Sequence, residues 1–519
     1  METVIFRTNG DVKTGLGHIY RMKKLADEFN EKKFKVIFIV DNHNYVLEKI
    51  LNYEKLFLYK KGTFKSQTED AKKVHLLIKN ENVKLIVIDD YRLDYRWEKF
   101  FFKKIKLVVF DDLNIKKHLC DFLVDCKWIG PETYNRYKNL VPVSCKRILG
   151  SQYCFIDRRL KKIKSKKKNL LLYFGGGGNL DNFYELTKNI CIFNKEKNNK
   201  KYRFNIKLVI GPMSKNYLKI IKLKNKFENL ELIKNKFDLS KTLNKTALYF
   251  GVSSSIIYDL AYLNIPACVF SLSKNQINNT KALEDIGIYF NLKLNKSINK
   301  KIPILLNVFF NNIEKLKSIS SNSNIKIDSK GSLRVFNIIN KNLKPIKQKK
   351  LLKTKNKNKK IGYYPVKDNM INEYLYLRNL NVNRRKSINI SLIQKIDHYI
   401  WWFQTKRKSF YLIKDRLILL VLYQEKISIL KDRFWYGGWF VGGNKINLID
   451  IFNAIKWQIK RTLKEDKIKW IAIIKKTNNF VYRLNSNLGF VKIENEDIYK
   501  KRIISNLKLN NKDYHFLIK

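Results

Sequence analysis

The chain lacks most of the features that mark secreted, membrane-spanning and zinc-binding proteins. Only six of its 519 residues are cysteine, and no two of them form a CxxC pair or stand beside a cluster of histidines. This spacing favours free thiols in a reducing compartment over disulfides or a zinc site. No apolar run approaches the ~18 residues of a membrane helix, and we expect no secretory signal. We therefore expect a cytoplasmic protein with no membrane span.

Acidic residues are scarce relative to basic ones. The chain has 106 Lys and Arg residues against 45 Asp and Glu residues, which gives a formal net charge of +61. Such an excess is typical of nucleic-acid-binding proteins, but here lysine is spread along the whole chain together with many Asn and Ile residues. That mixture favours an AT-rich coding sequence over a polyanion-binding surface, so we expect no specific nucleic-acid partner. The positive field should still attract anionic substrates such as nucleotide-sugars and coenzyme A.

A glycine-containing turn near the N-terminus joins a predicted strand to a predicted helix. The turn carries Gly15, Gly17 and His18, and a segment with helical periodicity begins at Ile19. Glycines let the backbone approach a ligand closely, and the N–H groups at a helix start suit a diphosphate. The same field should keep the His18 imidazole neutral and able to accept a proton. We interpret His18 as a general base beside a nucleotide-sugar, with a core or capping histidine as the alternative.

Apolar strands alternate with helical segments over the first 160 residues. This pattern predicts a parallel sheet covered on both faces, and ligands bind at the carboxyl ends of the strands in such sheets. Polar residues directly after the strands are therefore candidates for the site, although helix capping is the commoner role of aspartate there. These residues are Asp89, Asp90, Tyr91, Asp111, Asp112 and Asp125.

A second series of strands and helices follows a basic stretch at residues 161–168. Its first strand ends in a glycine run that includes Gly175 and Gly176, and a later strand ends in serines followed by an aspartate. Serines at a helix start can cap the helix and cradle phosphate oxygens, and the aspartate is placed to accept hydrogen bonds from ribose hydroxyls. An ordinary cap with a solvated aspartate is the alternative. Asn275 and Gln276 lie in a polar loop at the same edge. The serine segment comprises Ser253, Ser254, Ser255 and Asp259.

The composition changes after this series. Half of residues 341–360 are lysine, which predicts a solvated linker. From residue 361 the pattern becomes α+β, with helical segments followed by strands. A later strand leads through a glycine-containing turn into an amphipathic helix, and Asn478 follows another strand. The turn comprises Gly442, Gly443, Asn444 and Lys445.

Six pieces of the first 340 residues, in the same order, resemble the UDP-sugar hydrolases of pseudaminic acid synthesis. They are Gly15 to His18 with Arg21, Asp89 with Tyr91, Phe110 to Leu113, Phe174 to Gly176, Ser253 to Asp259, and Lys274 to Gln276. The second half alone resembles the nucleotide-binding half of GT-B enzymes that use UDP-N-acetylglucosamine. The resemblance implies a metal-independent, inverting hydrolysis of UDP-2,4-diacetamido-2,4,6-trideoxy-β-L-altropyranose at its anomeric carbon, which releases UDP.

The same resemblance implies a role for each matching residue. His18 would activate the attacking water, and Tyr91 would help to hold the sugar or that water. Two residues depart from the family's pattern, since Asp90 stands where His is usual and Asp259 stands where Glu is usual. Ser254 and Ser255 would hold the diphosphate, and Asp259 would hold the ribose. Asn275 and Gln276 would line the sugar side of the cleft. The residues expected to bind the substrate are Gly15, Gly17, Arg21, Tyr91, Gly175, Gly176, Ser253, Ser254, Ser255, Asp259, Asn275 and Gln276.

Residues 361–500 resemble the GNAT acetyltransferase family. In that family a glycine-rich turn between a strand and a helix binds the pyrophosphate of coenzyme A through backbone N–H groups, and Gly442, Gly443, Asn444 and Lys445 occupy that place. Asn478 matches an Asn that the family has upstream of a Gly-Phe pair. The usual glycine spacing is degraded, and Asn485 stands where a proton-donating Tyr is common. The resemblance therefore implies acetyl-CoA binding without identifying a catalytic acid.

Together these patterns predict four segments. Residues 1–160 and 161–340 form two Rossmann-like α/β domains in a GT-B-like pair, residues 341–360 form the linker, and residues 361–519 form an α+β GNAT-like domain. We expect a bifunctional enzyme that acetylates the 4-amino group of a UDP-linked sugar and then hydrolyses the product, because fusing consecutive steps raises the local substrate concentration. A GT-B glycosyltransferase and a basic nucleic-acid-binding protein are the alternatives.

Overall fold

The structure is a computed structural model that describes residues 1–10, 16–43, 45–59, 63–162, 169–196, 204–211, 213–234, 238–271, 277, 281–284, 288–321, 325, 327–343, 361–443, 446–494, 497–507 and 509–519. The chain divides into two compact units, Met1–Lys349 and Lys350–Lys519. Five of the predicted binding residues lie outside the described residues. They are Gly15, Asn275, Gln276, Asn444 and Lys445.

The first unit opens with a parallel sheet whose strands are runs of Val, Ile, Leu and Phe. The strands are β1 (Thr3–Thr8), β2 (Lys35–Val40), β3 (Glu54–Phe57), β4 (Val83–Asp89), β5 (Lys106–Phe110), β6 (Phe122–Asp125) and β7 (Lys146–Leu149), and the helices are α1 (Gly17–Glu31), α2 (Tyr45–Ile50), α3 (Gln67–Ile78) and α4 (Tyr95–Glu98). Both faces are buried, with Val4 and Phe6 in one apolar cluster and Ile5 and Ile86 in another. The prediction of a parallel α/β sheet is therefore confirmed for this region.

The strand order places β1 beside β4. The order across the sheet is β3-β2-β1-β4-β5-β6-β7, so the chain winds in one direction from β1 and in the other from β4. Thr8 at the end of β1 pairs with Asp89 at the end of β4. The loops after these two strands leave the sheet on opposite faces, which opens a crevice between them at the carboxyl end.

The second sheet of this unit is also parallel and repeats the arrangement. Its strands are β8 (Asn169–Tyr173), β9 (Gly177–Asn179), β10 (Asn205–Ile210), β11 (Met213–Lys215), β12 (Leu230–Lys234), β13 (Thr246–Val252), β14 (Ala267–Phe270) and β15 (Tyr289–Asn291). The order is β12-β10-β8-β13-β14-β15, with β9 and β11 forming a separate pair. The corresponding crevice therefore lies between β8 and β13. The helices are α5 (Tyr184–Glu196), α6 (Leu218–Lys226), α7 (Ser240–Leu243), α8 (Ile256–Tyr262), α9 (Lys296–Asn299), α10 (Ile302–Asn311), α11 (Ile313–Ser321) and α12 (Gly331–Leu343).

Helix α12 belongs to the segment predicted as the second domain but packs on α1. The rings of Phe29 and Phe336 meet edge to face at 4.9 Å, and the Ser332 hydroxyl donates to Glu28 Oε1 at 2.6 Å. The helix start approaches the backbone so closely that a Cβ on Gly331 would lie 1.9 Å from the Cys154 carbonyl oxygen. Because α12 ends at Leu343, the linker does not begin at residue 341 as predicted.

The second unit contains a mixed sheet in the order β16-β17-β18-β19-β20-β22-β21. Its strands are β16 (Gly362–Pro365), β17 (Lys408–Lys414), β18 (Leu417–Ile429), β19 (Asp432–Val441), β20 (Trp470–Lys475), β21 (Val491–Lys492) and β22 (Tyr514–Ile518). The central pair of β19 and β20 is parallel and is joined only at Trp435–Trp470 and Tyr436–Ile471. The two strands therefore diverge beyond Tyr436. The helices are α13 (Ile371–Asn379), α14 (Asn381–Lys386), α15 (Lys395–Gln404), α16 (Leu448–Glu465), α17 (Asn479–Asn487) and α18 (Ile498–Leu507).

The described helices are too short or too polar to cross a membrane. The longest of them, α16, shows why, because it is apolar on one side only. Ile451, Ala454, Ile455 and Ile459 are buried against the sheet, at the spacing of an amphipathic helix on a core.

Candidate active site

His18 and Asp89 meet in the crevice between β1 and β4. Asp89 is the last residue of β4, and His18 is the second residue of α1. The His18 Nδ1 and Asp89 Oδ1 atoms are 2.6 Å apart, and both side chains are buried. Since the carboxylate only accepts hydrogen bonds, Nδ1 carries the proton and donates it. Nε2 is then the ring atom that can accept a proton.

Arg21 clamps Asp89 from the next turn of α1. Its Nε donates to Asp89 Oδ2 at 2.9 Å and its Nη2 donates to Asp89 Oδ1 at 2.7 Å, which is the two-point geometry that arginine makes with a carboxylate. Its Nη1 lies 3.4 Å from Asp112 Oδ2. Arg21 was predicted to bind the substrate, and in the structure its guanidinium fixes the two carboxylates beside His18.

Tyr91 and Asp112 complete the surroundings of His18. The Tyr91 hydroxyl donates to Asp112 Oδ1 at 2.5 Å, and the Tyr91 ring stands edge to face with the imidazole at 4.6 Å. Lys127, just after β6, lies 3.2 Å from Asp112 Oδ1 through its Nζ atom. Burial raises the pKa of Asp112, but the Arg21 and Lys127 charges outweigh it and hold this pKa at about 2. Asp112 is therefore a carboxylate that orients Tyr91.

The charge expected on His18 is corrected by the structure. Burial lowers the pKa of His18, but the charge and the hydrogen bond of Asp89 raise it more, so the pKa lies above its ordinary value of 6.5. The pKa of Asp89 is lowered, because Arg21 and His18 outweigh its burial. The prediction that the helix start keeps the imidazole neutral is therefore wrong in direction. A carboxylate in contact with the ring acts more strongly than the helix dipole.

Asp90 contacts arginines that are not part of the His18 cluster. Its carboxylate binds Arg92, with Nη2 to Oδ2 at 2.5 Å and Nε to Oδ1 at 2.9 Å, and it lies 3.9 Å from the buried Arg7. Both arginines also bind Asp41. Asp90 is therefore paired with Arg92, so its departure from the family's usual His introduces a paired carboxylate and not a free one.

Asp111 and Asp125 are engaged away from His18. Asp111 Oδ2 lies 3.6 Å from His118 Nε2, within ion-pair distance but beyond a hydrogen bond. Asp111 Oδ1 accepts from the Leu113 N–H at 3.1 Å. Asp125 forms a buried ion pair with Arg136. Of the six residues expected after the strands, Asp89, Tyr91 and Asp112 are thus brought together with His18, and the others are not.

The glycine run after β8 lies against the loop after β10. Gly175 has φ +109°, in the region that favours glycine. A Cβ on Gly211 would lie 2.5 Å from the carbonyl oxygens of both Gly175 and Gly176. These loops are therefore packed backbone to backbone at the carboxyl end of the second sheet, beside the crevice between β8 and β13.

The three serines after β13 have different environments. Ser253 is buried, and its Oγ lies 3.0 Å from the Oγ of Ser271. Ser254 is half-buried and Ser255 is exposed. Ser255 precedes α8, but its hydroxyl makes no capping hydrogen bond, so the capping expected of the serines is not made by Ser255. The Ser255 hydroxyl, one of the two predicted to meet the diphosphate, is thus not used to cap the helix.

Asp259, the predicted ribose contact, faces the first sheet's domain. Its Oδ1 accepts from the Asp157 N–H at 3.3 Å and lies 3.9 Å from Lys24 Nζ. Burial raises the pKa of this carboxyl. In the structure Asp259 therefore joins α8 to α1, the helix that carries His18.

Trp128 and Tyr258 connect the carboxyl ends of the two parallel sheets. The Trp128 N–H donates to the Tyr258 hydroxyl at 3.3 Å, and Tyr258 lies one turn after Ser255. Lys127 precedes Trp128 and contacts Asp112, which Arg21 links to His18. A short path of contacts therefore leads from His18 to the serine turn. Sequence reasoning missed Lys127 and Trp128, whose only signal is their position two and three residues after the end of β6.

The candidate coenzyme A residues are only partly consistent with their predicted role. A Cβ on Gly442 would lie 2.2 Å from the Ile418 carbonyl oxygen, and the Gly442 N–H already donates to the Leu419 carbonyl at 2.9 Å. This N–H is therefore not available for a pyrophosphate, and the expectation for Gly442 is corrected. Gly443 has no described atom within 4 Å of a Cβ. Asn478 precedes α17 without capping it.

Within the described ranges, no three or more His, Cys, Asp or Glu side chains are grouped so that they could hold a metal ion. All six cysteines are unbridged and buried.

Comparisons with known proteins give a weak relationship in sequence. No family model matches the chain. The chain is 25% identical over 283 residues to an uncharacterized protein of Methanocaldococcus jannaschii, covering 50% of this chain and 54% of that protein. It is also 25% identical over 289 residues to the UDP-2,4-diacetamido-2,4,6-trideoxy-β-L-altropyranose hydrolase of Campylobacter jejuni, covering 53% of this chain and 93% of the hydrolase. The chain thus spans about half of the archaeal relative.

Solved structures resemble about two thirds of the chain. MurG of Acinetobacter baumannii matches 65% of this chain and 99% of its own at 14% identity, with a TM-score of 0.45. The UDP-GlcNAc 2-epimerase of Neisseria meningitidis matches 66% of this chain and 100% of its own at 12% identity, also with a TM-score of 0.45.

Proposed function

We propose that the first unit hydrolyses a UDP-linked sugar at its anomeric carbon, with His18 as the general base. The observation that carries this proposal is the His18–Asp89 pair in the crevice between β1 and β4, held by Arg21. The similarity to a UDP-sugar hydrolase over 93% of that enzyme's length supports the substrate class, and a 2,4-diacetamido-2,4,6-trideoxyhexose is the sugar we propose.

The reaction needs a positioned water, a base and donors for the leaving diphosphate. His18 Nε2 takes a proton from water as the water oxygen bonds to the anomeric carbon. The bond from that carbon to the phosphate oxygen breaks on the opposite face, and UDP leaves with the electron pair. Asp89 stabilises the imidazolium formed in this step, and the ring then releases its proton to solvent. The products are UDP and the free sugar with inverted configuration.

The proposed nucleotide site lies in the half built on the second sheet. Ser255 has a hydroxyl that does not cap α8, and Ser254 directly precedes it. Gly175 and Gly176 provide a loop without side chains beside the same crevice. Such groups can hold phosphate oxygens through hydroxyl and backbone donors. We propose that these residues hold the diphosphate, with Asn275 and Gln276 on the sugar side.

We further propose that the second unit transfers an acetyl group from acetyl-CoA to the 4-amino group of the same class of sugar. Support comes from the opening between β19 and β20. The Trp435 N–H donates to the carbonyl oxygen of Lys469, the residue before β20. Since backbone groups alternate in direction along a strand, those of Gly437 and Trp439 face the same side of β19 as the Trp435 N–H. Both residues lie beyond the point where β19 and β20 diverge. The open turn at Gly443 follows this strand. Acetyl-CoA would supply the activated thioester, and these backbone groups would bind it.

A single substitution tests the hydrolase proposal. We expect His18→Ala to lower the turnover of the UDP-sugar about 10²–10⁴-fold, the usual contribution of a general base, while UDP still binds. The measurement is UDP release with and without an added acceptor. His43→Ala, which changes an exposed histidine of the same domain, is the matched control and should leave turnover unchanged.

The alternatives give different results in the same assay. UDP release that depends strictly on an acceptor would indicate a glycosyltransferase. Unchanged turnover in His18→Ala would contradict the assignment of His18 as the general base. Mass spectrometry of the products formed from a UDP-linked 4-amino-sugar, with and without acetyl-CoA, separates the acetyltransferase from the hydrolase. A second unit that does not transfer acetyl would yield no mass increase of one acetyl group.

A further inference from the structure

Lys127 and Trp128 form a short segment at the boundary between the two sheet domains. They follow β6, whose last residue is Asp125, after one intervening residue. Trp128 reaches the domain of the second sheet through the hydrogen bond from its backbone N–H to the Tyr258 hydroxyl. Lys127 reaches the His18 cluster through Asp112. The segment therefore lies between the proposed base and the turn at Ser254 and Ser255, with contacts to both sides.

Trp128 has an unused hydrogen-bond donor. Its indole Nε1 is shielded from solvent and has no hydrogen-bond partner in the described part of the chain. Other indole donors are paired, since the Nε1 atoms of Trp97, Trp402 and Trp470 donate to Asp70, Asp368 and Thr462 at 2.8 Å. A buried donor without an acceptor is costly, and a group at a functional site is a common reason for retaining one.

Lys127 brings a positive charge to the same place. Its Nζ is held 3.2 Å from Asp112 Oδ1 and donates to the Asp112 carbonyl oxygen at 3.3 Å. Its side chain is 16% exposed. Asp112 is shared with Arg21 and the Tyr91 hydroxyl, and Arg21 also pairs with Asp89.

We propose that Lys127 and Trp128 are the contribution of the first sheet's domain to a diphosphate site. Trp128 Nε1 donates a hydrogen bond to a phosphate oxygen, and the Lys127 ammonium neutralises charge on the same group. This inference rests on the proposed function, in which UDP is the leaving group. It adds donors from the domain that bears the base, where they stabilise the negative charge that develops as the bond to UDP breaks.

The test compares ligands that differ only in their phosphates. Binding of UDP, UMP and uridine to the full chain is measured by titration calorimetry for the wild type, Trp128→Phe and Lys127→Met. Phenylalanine keeps an aromatic ring and removes the N–H, and methionine removes the charge at similar length. Lys146→Met is the matched control, because Lys146 is exposed at the amino end of β7.

We expect each variant to bind UDP about 10-fold more weakly, as for the loss of one hydrogen bond to a charged group, and to bind uridine as the wild type does. Lys146→Met should bind both ligands normally. Unchanged UDP affinity in both variants would overturn the inference while leaving the proposed function intact. Equal weakening of UDP and uridine would also overturn it, since that result indicates a packing role. A wild type that binds neither ligand would overturn both proposals.

Discussion

At the scale of single residues, the His18–Asp89 pair sets the pH at which the proposed base works. Because the base acts only when Nε2 is unprotonated, kcat/KM should rise with pH through the pKa of His18. Asp89 raises this pKa, so the acid limb of the wild-type profile should lie above pH 6.5, the ordinary value for histidine.

Asp89→Asn should move that limb and slow the reaction. The substitution removes the negative charge that raises the pKa of His18, while the burial that lowers this pKa remains. We expect the acid limb to shift to lower pH, with turnover reduced about 10²-fold or more because the imidazolium loses its partner. The measurement is kcat/KM between pH 5 and pH 10. Asp27→Asn is the control, because Asp27 lies on α1, the helix that carries His18, but pairs with Lys23. An acid limb that does not move in Asp89→Asn would contradict the role assigned to Asp89.

The residues of this site differ in how far the sequence could predict them. His18 is marked by the glycine turn that precedes it, and Tyr91 and Asp112 are marked by their positions after strands. The sequence does not say which carboxylate meets His18, because Asp89 is 71 positions away. The expected neutral imidazole was wrong for the same reason, since the local helix start was visible and the distant carboxylate was not.

At the scale of elements, the alternation of strands and helices could be predicted because parallel strands are continuous apolar runs. The strand order could not, since local periodicity does not say which strands are neighbours. That order places β1 beside β4 and thereby brings His18 to Asp89. Gly442 is the opposite case, because a residue predicted to bind a ligand has a structural role. Its sequence context resembles a ligand-binding turn, but the structure shows that the close approach of the Ile418 carbonyl already requires glycine there.

Gly17, the first residue of α1, is needed either for the approach of the ligand or for folding, and one substitution distinguishes the two roles. No described atom lies within 4 Å of a Cβ on Gly17, and alanine is the better residue inside a helix by about 0.5–1 kcal/mol. Gly17→Ala should therefore leave thermal stability unchanged or raise it slightly. It should also lower kcat/KM for the UDP-sugar at least 10-fold, if the bare backbone is needed for the ligand's approach. Loss of stability together with activity would indicate a folding role instead.

At the scale of the whole molecule, the first unit depends on α12 to join its two sheets. The helix follows the second sheet in the chain but packs on α1, where Glu28 accepts from Ser332 and pairs with Arg158 at 2.6 Å. Sequence patterns assign α12 to the second domain because it follows that domain in the chain. Only the packing shows that it contacts α1, the helix that carries His18.

Gly331→Ala should loosen this connection. The added Cβ would lie 1.9 Å from the Cys154 carbonyl oxygen and 2.7 Å from its carbon, and backbone atoms cannot rotate away as a side chain can, so α12 must shift. Such overpacking costs about 1–3 kcal/mol. We therefore expect a lower unfolding midpoint for the first unit by differential scanning calorimetry. We also expect a reduced kcat/KM, because α1 loses the surface that positions its N-terminal histidine. For the unfolding midpoint, Gly17→Ala is the matched control, since its Cβ meets no described atom. An unchanged midpoint in Gly331→Ala would show that α12 does not hold the two sheets together.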